Sequence, residues 1–374
     1  MQRYTIVHSL CHIQWGGLER RVFNEARWMA ARGHRMCIVA PEGSPVCCRA
    51  REEGWLVEAL KFSRVSLISD IFRFRRILQT LRPDILNTHG NIDTKAGLCA
   101  AMGLHIPCII LSRHITAPVP NSFYNRMLYR NLCDTILTTS ESAREQIVRS
   151  LSISSEKIFS VPSGIIPPEN LISQHSAHLE MTRLLQRPQR TQFIGFVGRV
   201  TREKGVDYIV EAFAGIQNRF PNLELVLAGH CDYPEELTAD IRARSLADRV
   251  HLIGYQEDIW KLYRAFACML LASVENEGVP QSLIESMYAR CPVVGTCVGG
   301  IPEILKNGEL GWLVRPRDAA DIAAALTDII EHPELTRMKV EKACAHVKNH
   351  HTIDQMGSRL LYIYQGCQAD QRRH

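Results

Sequence analysis

Apolar, β-branched runs alternate with helical patterns along this chain, and the alternation passes through two cycles. No other feature of the sequence constrains the fold as much. In the first cycle Tyr4–His8, Met36–Ala40, Asp84–Thr88, Cys108–Ser112 and Thr135–Thr139 read as strands. Leu18–Arg32, a helix from Thr94, Phe123–Leu132 and Ser142–Arg149 read as the helices among them. Strands this apolar, joined through helices, belong to parallel sheets covered on both faces. Around residues 162–188 the pattern dissolves into Pro, Ser, Gln and His. A second cycle then starts with Phe193–Val197 as strand and Val206–Phe220 as helix. Strands Leu223–Ala228, Val250–Ile253, Cys268–Ala272 and Pro292–Gly295 follow, with Ser282–Ala289 as the helix before the last. Helices dominate from Ala319 onward.

A chain of 374 residues is too long for one ordinary core and suits two. The expected organisation is α/β: a doubly wound domain over residues 1–170, a linker over 171–190, a second such domain over 191–352, and a closing helix over 353–374. With 46% hydrophobic and 22% charged residues, disorder, collagen and coiled coil are excluded. The longest weakly charged run, residues 96–112, is interrupted by His105 and Pro107 and falls short of a membrane span. The first residues lack a basic head followed by an apolar signal core, so no export is expected. Thirteen cysteines, an odd number without a C-x-x-C pair, read as reduced thiols of a cytosolic protein. The net charge of +5 is uneven. Residues 1–188 carry 23 Lys and Arg against 15 Asp and Glu, net +8, and residues 189–374 carry 21 against 24, net −3. The first half is therefore expected to meet something anionic.

Sheets of this kind bind ligands outside the carboxyl ends of their strands, and three loops at such ends carry chemistry. The first ends in Trp15-Gly16-Gly17-Leu18-Glu19-Arg20, where two glycines at a helix start let backbone approach an anion; a simple turn has the same residues. The second, Gly198-Arg199-Val-Thr-Arg202-Glu-Lys204-Gly205, sets a guanidinium and an ammonium where a diphosphate could be held, and also fits a solvated turn. The third, Ser273 to Glu285, is the most specific. Gly278 and Pro280 make a sharp turn into a helix whose first N–H groups are unpaired. Glu277 stands at its tip and Glu285 eight positions on, both able to accept hydrogen bonds from hydroxyls. No G-x-G-x-x-G follows the first strand, and no G-x-x-x-x-G-K-[ST], H-E-x-x-H or G-x-S-x-G occurs at all. His346 and His350 lack a third ligand and read as surface helix.

In this order, Gly16–Gly17, Arg199 with Lys204, and Glu277-x7-Glu285 resemble the retaining glycosyltransferases of family 4. Gly299-Gly300-Ile301-Pro302-Glu303, followed by Gly308 and Gly311, is similar to that family's stretch after the second glutamate. The resemblance implies the GT-B fold: two Rossmann-like domains facing across a cleft, the first for the acceptor, the second for a nucleotide-sugar donor, with the final helix crossing back. It assigns Glu285 to the ribose hydroxyls, Glu277 to the transferred sugar, and Arg199 and Lys204 to the diphosphate. Backbone at Gly16, Gly17, Val279, Pro280, Gln281, Ser282 and Leu283 would complete the cradle, with the base near Tyr255. Ser112-Arg113-His114 is similar to the segment bearing the family's histidine beside the reacting sugar.

The implied chemistry is departure of a nucleoside diphosphate, whose growing charge Arg199, Lys204 and helix N–H groups would stabilise. Because the sequence holds no Asp-x-Asp motif, neither metal nor cofactor is expected. Front-face substitution is implied, with Glu277 orienting the sugar. The expected partners are a nucleotide sugar, with uridine as the commonest base, and a cell-envelope glycan or glycolipid of lipopolysaccharide type; nucleic acid is not expected. A nucleotide-sugar epimerase of the same fold, or a silent nucleotide-sugar-binding subunit, are the alternatives. Residues 61–82 carry six basic residues against one acid, Asp70. There Leu67, Ile71, Phe74, Leu78 and Leu81 share one helix face, which suits either an anionic membrane surface or packing on the sheet. The expected location is cytoplasmic, peripheral on the membrane.

Overall fold

The computed structural model describes residues 2–371; Met1 and residues 372–374, the outermost ends of the expected first and last segments, lie outside the described residues. The chain forms two compact units, one running to Gly164 and resuming at Thr352, the other spanning Ile165–His351.

The N-terminal unit is a seven-stranded parallel sheet of β1 (Thr5–Ser9), β2 (Arg35–Ala40), β3 (Leu56–Ala59), β4 (Ile85–Thr88), β5 (Cys108–Arg113), β6 (Thr135–Thr138) and β7 (Ile158–Ser160). Their order is β3-β2-β1-β4-β5-β6-β7. The helix Ile353–Gln371 packs on β5 and on the helix Gly17–Ala30, its Leu360 and Tyr364 fully buried. The C-terminal unit has six parallel strands: β8 (Gln192–Val197), β9 (Leu223–Ala228), β10 (Val250–Gly254), β11 (Phe266–Leu271), β12 (Val293–Thr296) and β13 (Trp312–Val314), in the order β10-β9-β8-β11-β12-β13. In both sheets the order reverses beside the first strand, which is where a doubly wound sheet leaves its crevice.

The apolar runs became strands because both faces of the sheets are buried, and the polar residues they contain, such as Asn87, Thr88 and Glu224, are buried with them. All six residues of β9 and all four of β4 are buried. Serines cap the helices between them. The Oγ atoms of Ser44, Ser122 and Ser140 accept from the N–H groups of Cys47, Asn125 and Ala143 at 3.1–3.3 Å. The helix expected from Thr94 begins at Asn91, since the Asp93 carboxylate takes the N–H groups of His89 and Gly90 at 3.0 Å each.

Two expectations change. The linker over 171–190 holds a helix, Gln174–Leu184, capped by Ser173 Oγ. Its Ala177 and Met181 are buried in the C-terminal core, so the polar residues that suggested a linker are a cap and a solvent face. In the basic segment, Phe74 and Leu78 are buried and Leu67, Ile71 and Leu81 pack against the same cluster. The face of that helix, Leu67–Leu81, is therefore a core face. The neighbouring strip of Val65, Ile68 and Phe72 is 100%, 72% and 66% exposed, flanked by the exposed Arg64, Arg73 and Arg76.

Candidate functional site

Most of the expected donor residues lie at the carboxyl ends of β8, β10 and β11 in the C-terminal unit. Glycine is required at two of these loops. Gly205 has φ +67°, and a Cβ there would lie 1.9 Å from the Ala272 carbonyl oxygen; one at Gly229, φ +140°, would lie 1.7 Å from that of Gly198. The first approach holds the loop of Arg199 and Lys204 against the end of β11, the second against the end of β9. Val274 N–H adds a bond to the Glu203 carbonyl at 2.9 Å.

The result is a short polar array. Lys204 Nζ lies 2.5 Å from Glu277 Oε2, and Ser273 Oγ donates to the same oxygen at 2.5 Å. The Ser273 carbonyl accepts from Thr296 Oγ1 at 2.6 Å, tying the loop to β12. Glu285 is buried on the helix Gln281–Tyr288, where Tyr263 Oη donates to its Oε2 at 3.1 Å. Arg199 is exposed and has no hydrogen bond or ion pair among the described residues, so the fold makes no use of its charge. Arg202, in the same loop, is paired instead with Asp207 and Glu236.

The helix start is narrower than expected. Leu283 and Ile284 N–H close on the Pro280 carbonyl at 3.2 and 3.4 Å, and the Leu283 side chain is fully buried. Leu283 is thus a core residue, and the helix-start N–H groups without a backbone acceptor are those of Gln281 and Ser282. Val279 and Pro280 are buried around the turn. The buried Gln281 amide finds no partner for either Nε2 or Oε1. Such a group costs about 1–3 kcal/mol, and a ligand that satisfies it removes that cost. Tyr255 follows β10 as expected, largely exposed.

In the N-terminal unit the glycine pair opens the helix Gly17–Ala30, but the Gly16 N–H donates to Glu19 Oε2 at 2.9 Å while Glu19 Oε1 meets His12 Nδ1 at 2.9 Å. A carboxylate already occupies the end of that helix where a phosphate was expected, because Glu19 sits three residues past the cap and folds back on it. Gly17 keeps open space around its Cα. His114 follows β5 as expected, with its Nε2 3.0 Å from Nδ1 of His89. Burial, reinforced by Arg21, His12 and Arg113, holds the His114 ring well below the usual imidazole pKa, so it is neutral at pH 7.

Tyr263, Ser273 and His89 were missed in the sequence. Tyr263 and Ser273 act through the two glutamates and have no motif of their own. For His89 the one available signal was its position just past a strand.

Residues 15–167 match the family described as Glycosyltransferase Family 4, and residues 180–346 match Glycosyl transferases group 1. A lipopolysaccharide core biosynthesis mannosyltransferase, LpcC, of Rhizobium leguminosarum bv. viciae is 28% identical over 48% of this chain, which spans about half (52%) of that relative's length. A glycosyltransferase of Rickettsia africae superposes with a TM-score of 0.85 at 20% identity, covering 98% of this chain and 99% of that one. Anabaena HepE, solved in complex with UDP-glucose, does so with 0.82 at 17%, covering 97% and 100%.

Proposed function

The chain belongs to the glycosyltransferases of family 4 and group 1 and has their GT-B fold, and from that premise we propose that it is a retaining, metal-independent transferase. It moves a sugar from a nucleoside diphosphate to a cell-envelope glycan or glycolipid. The observation that carries this reading is the array at the ends of β8 and β11. There Lys204, Glu277 and Ser273 form one hydrogen-bonded group, and the same two segments carry an unused guanidinium at Arg199 and a buried, unpartnered Gln281 amide.

In this reading the diphosphate competes with Glu277 for Lys204 and draws in Arg199 and the N–H groups of Gln281 and Ser282. Negative charge that builds on the leaving oxygen is met by groups already in place, which costs little reorganisation at the moment of reaction. No Asp-x-Asp motif is present to recruit a metal for that task. Two donors on one oxygen of Glu277 fix its orientation and reduce its nucleophilicity, which favours an orienting role and front-face substitution. Glu285, anchored by Tyr263, takes the ribose hydroxyls. Uridine diphosphate is the first donor base to try, since HepE of the same fold was solved with UDP-glucose. The lipopolysaccharide assignment of the Rhizobium relative supports an envelope acceptor. The exposed strip Val65–Ile68–Phe72 with its arginines supports approach to an anionic membrane surface, where such an acceptor would lie. None of the helices, among the described residues, is long and apolar enough to cross a membrane.

Thermal unfolding with uridine, guanosine and adenosine diphosphates in EDTA is the test. One of them at a hundred times its Kd should stabilise by about 2.7 kcal/mol. The matching sugar donor should then release free diphosphate when a lipid-linked envelope acceptor is added, still in EDTA. Stabilisation by none of the three removes the donor site; turnover that requires added manganese removes metal independence.

A further inference from the structure

Three neighbouring strands of the N-terminal sheet each bring a histidine to their carboxyl ends. In register, His8 of β1 lies opposite Asn87 of β4, and Thr88 lies opposite Leu111 of β5. His89 is therefore two residues farther out than His8, level with Ser112, and His114 is two farther again. Steps of two keep side chains on one face of a sheet, so the rings fall in a line. His8 Nδ1 is 2.8 Å from His89 Nε2, and His89 Nδ1 is 3.0 Å from His114 Nε2. At the inner end His8 Nε2 faces Glu25 Oε1 at 4.0 Å, and that oxygen accepts from Tyr364 Oη. Asn87 Nδ2 donates to Tyr364 Oη at 3.4 Å and Ser112 Oγ to Asn87 Oδ1 at 2.7 Å, bracing the same face.

Two hydrogen bonds among three neutral imidazoles leave two proton arrangements. Each neutral ring has one N–H and one lone pair, so a proton on any Nε2 forces the other two onto Nε2, and a proton on any Nδ1 forces all onto Nδ1. The surroundings decide between them. With all protons on Nε2, the His8 N–H points at the Glu25 carboxylate and the His114 Nδ1 lone pair faces the positive field of Arg21, Arg113 and His12. Neither His8 Nε2 nor His114 Nδ1 has a hydrogen-bond partner, so each arrangement buries one unpaired N–H; with all protons on Nδ1 it is that of His114, among cations, while a His8 lone pair faces the carboxylate. Both ends favour the first arrangement. Arg21 also faces His89, and Glu25 is the charge facing His8; burial is the leading influence on all three rings and keeps them neutral.

We propose that Glu25, His8 and His89 are positioning residues that fix His114 as its Nε2-protonated tautomer, leaving Nδ1 as the acceptor for a substrate hydroxyl. The last step rests on the transferase reading above; the tautomer does not. Nδ1 is covered, so a hydroxyl that reaches it must displace that cover.

The test is long-range proton–nitrogen correlation on the full chain labelled with 15N-histidine. All three rings should be neutral Nε2–H tautomers at pH 7. Glu25→Gln keeps the shape and removes the charge, and should convert part of the His114 signal to Nδ1–H. His89→Gln should let the His114 tautomer mix and lower kcat roughly tenfold or more, with the donor KM unchanged. An Nδ1–H signal at His114 in the wild type overturns the proposal, as does a His114 signal that neither variant moves. Should His89→Gln fail to fold, the Glu25→Gln spectrum decides alone. The expected spectra without turnover on any nucleotide sugar would leave the relay standing and remove the transferase reading.

Discussion

At the carboxyl ends of the C-terminal sheet the chain sets charges on glycine-bearing loops; at those of the N-terminal sheet it buries neutral imidazoles. Lys204 and Glu277 keep 26% and 11% of their side chains accessible and lie beside the exposed Arg199. His8 and His89 are at most 4% exposed, and burial is the first cause of their lowered pKa values. The difference matches the two chemistries of the proposed reaction. A diphosphate brings its own charge and is met by accessible countercharge held in place before the reaction. A hydroxyl brings none, and is best met by a neutral acceptor of fixed orientation. Similar α/β units can therefore hold either kind of site, depending on which residues follow the strands.

The largest effect that separates the units is acid lability. In the N-terminal unit His89 and His114 are held well below 6.5 by burial, and His8 and His34 are also lowered. In the C-terminal unit His346 is lowered to about 4, again chiefly by burial. A depressed histidine pKa contributes stability that is complete above the unfolded value and is lost as pH falls from there toward the folded value. Below 6.5 each depressed ring therefore costs stability, His89 and His114 the most because they are held well below it, with His8 and His34 adding in the same direction. Hydrogen exchange between pH 7 and pH 5.5 should show the N-terminal unit losing protection first. Equal loss in both units would break the comparison, and His89→Gln should make the N-terminal dependence shallower.

The next effect lies in the other unit. Lys204→Ala and Glu277→Ala should each lower turnover by about 10²–10³-fold. Their unfolding midpoints should change little, because a partly exposed ion pair contributes up to about 1 kcal/mol to folding. The double variant should be scarcely slower than either single one, since the pair acts as one group. Independent losses that multiply in the double variant would show that the 2.5 Å contact has no part in the reaction.

What could be read from the sequence divides along the same line. The C-terminal array is nearly contiguous: Glu277 and Glu285 share one loop and helix, and Arg199 and Lys204 share another. Their places after strands marked them as candidates, and the family resemblance supplied their expected roles. The imidazole line comes from residues 8, 89 and 114, with Glu25 and Tyr364 behind it, five separate segments that only the strand register brings together. A lone histidine carries no periodicity to mark it. The main strands were legible because burial on both faces writes a continuous apolar run. Edge strands β3 and β13 are short and, in β3, mostly exposed, so their pattern is faint. Gly16 shows the opposite error. A glycine before a helix suggested a phosphate cradle, whereas Glu19, three residues on, already caps it.

The smallest expected effect concerns two phenylalanines on one helix. Phe74 is fully buried against Phe62, with ring centroids 6.1 Å apart, while Phe72 is 66% exposed between Ile68 and Arg76. Phe72→Ser should leave stability within about 0.5 kcal/mol, as surface changes usually do. If the strip meets a membrane, that change should still weaken binding to phosphatidylglycerol vesicles by the transfer free energy of one partly buried ring, about 1–2 kcal/mol. Arg76→Ala should weaken it by about 1 kcal/mol, roughly fivefold, and only at low salt, because the attraction to an anionic surface fades beyond a Debye length. Co-sedimentation at low and high salt separates the two: the Phe72 loss persists in salt and the Arg76 loss vanishes. A wild-type protein that stays in the supernatant even at low salt would place the acceptor in solution. The N-terminal unit's excess of positive charge would then serve to draw in a soluble anionic acceptor.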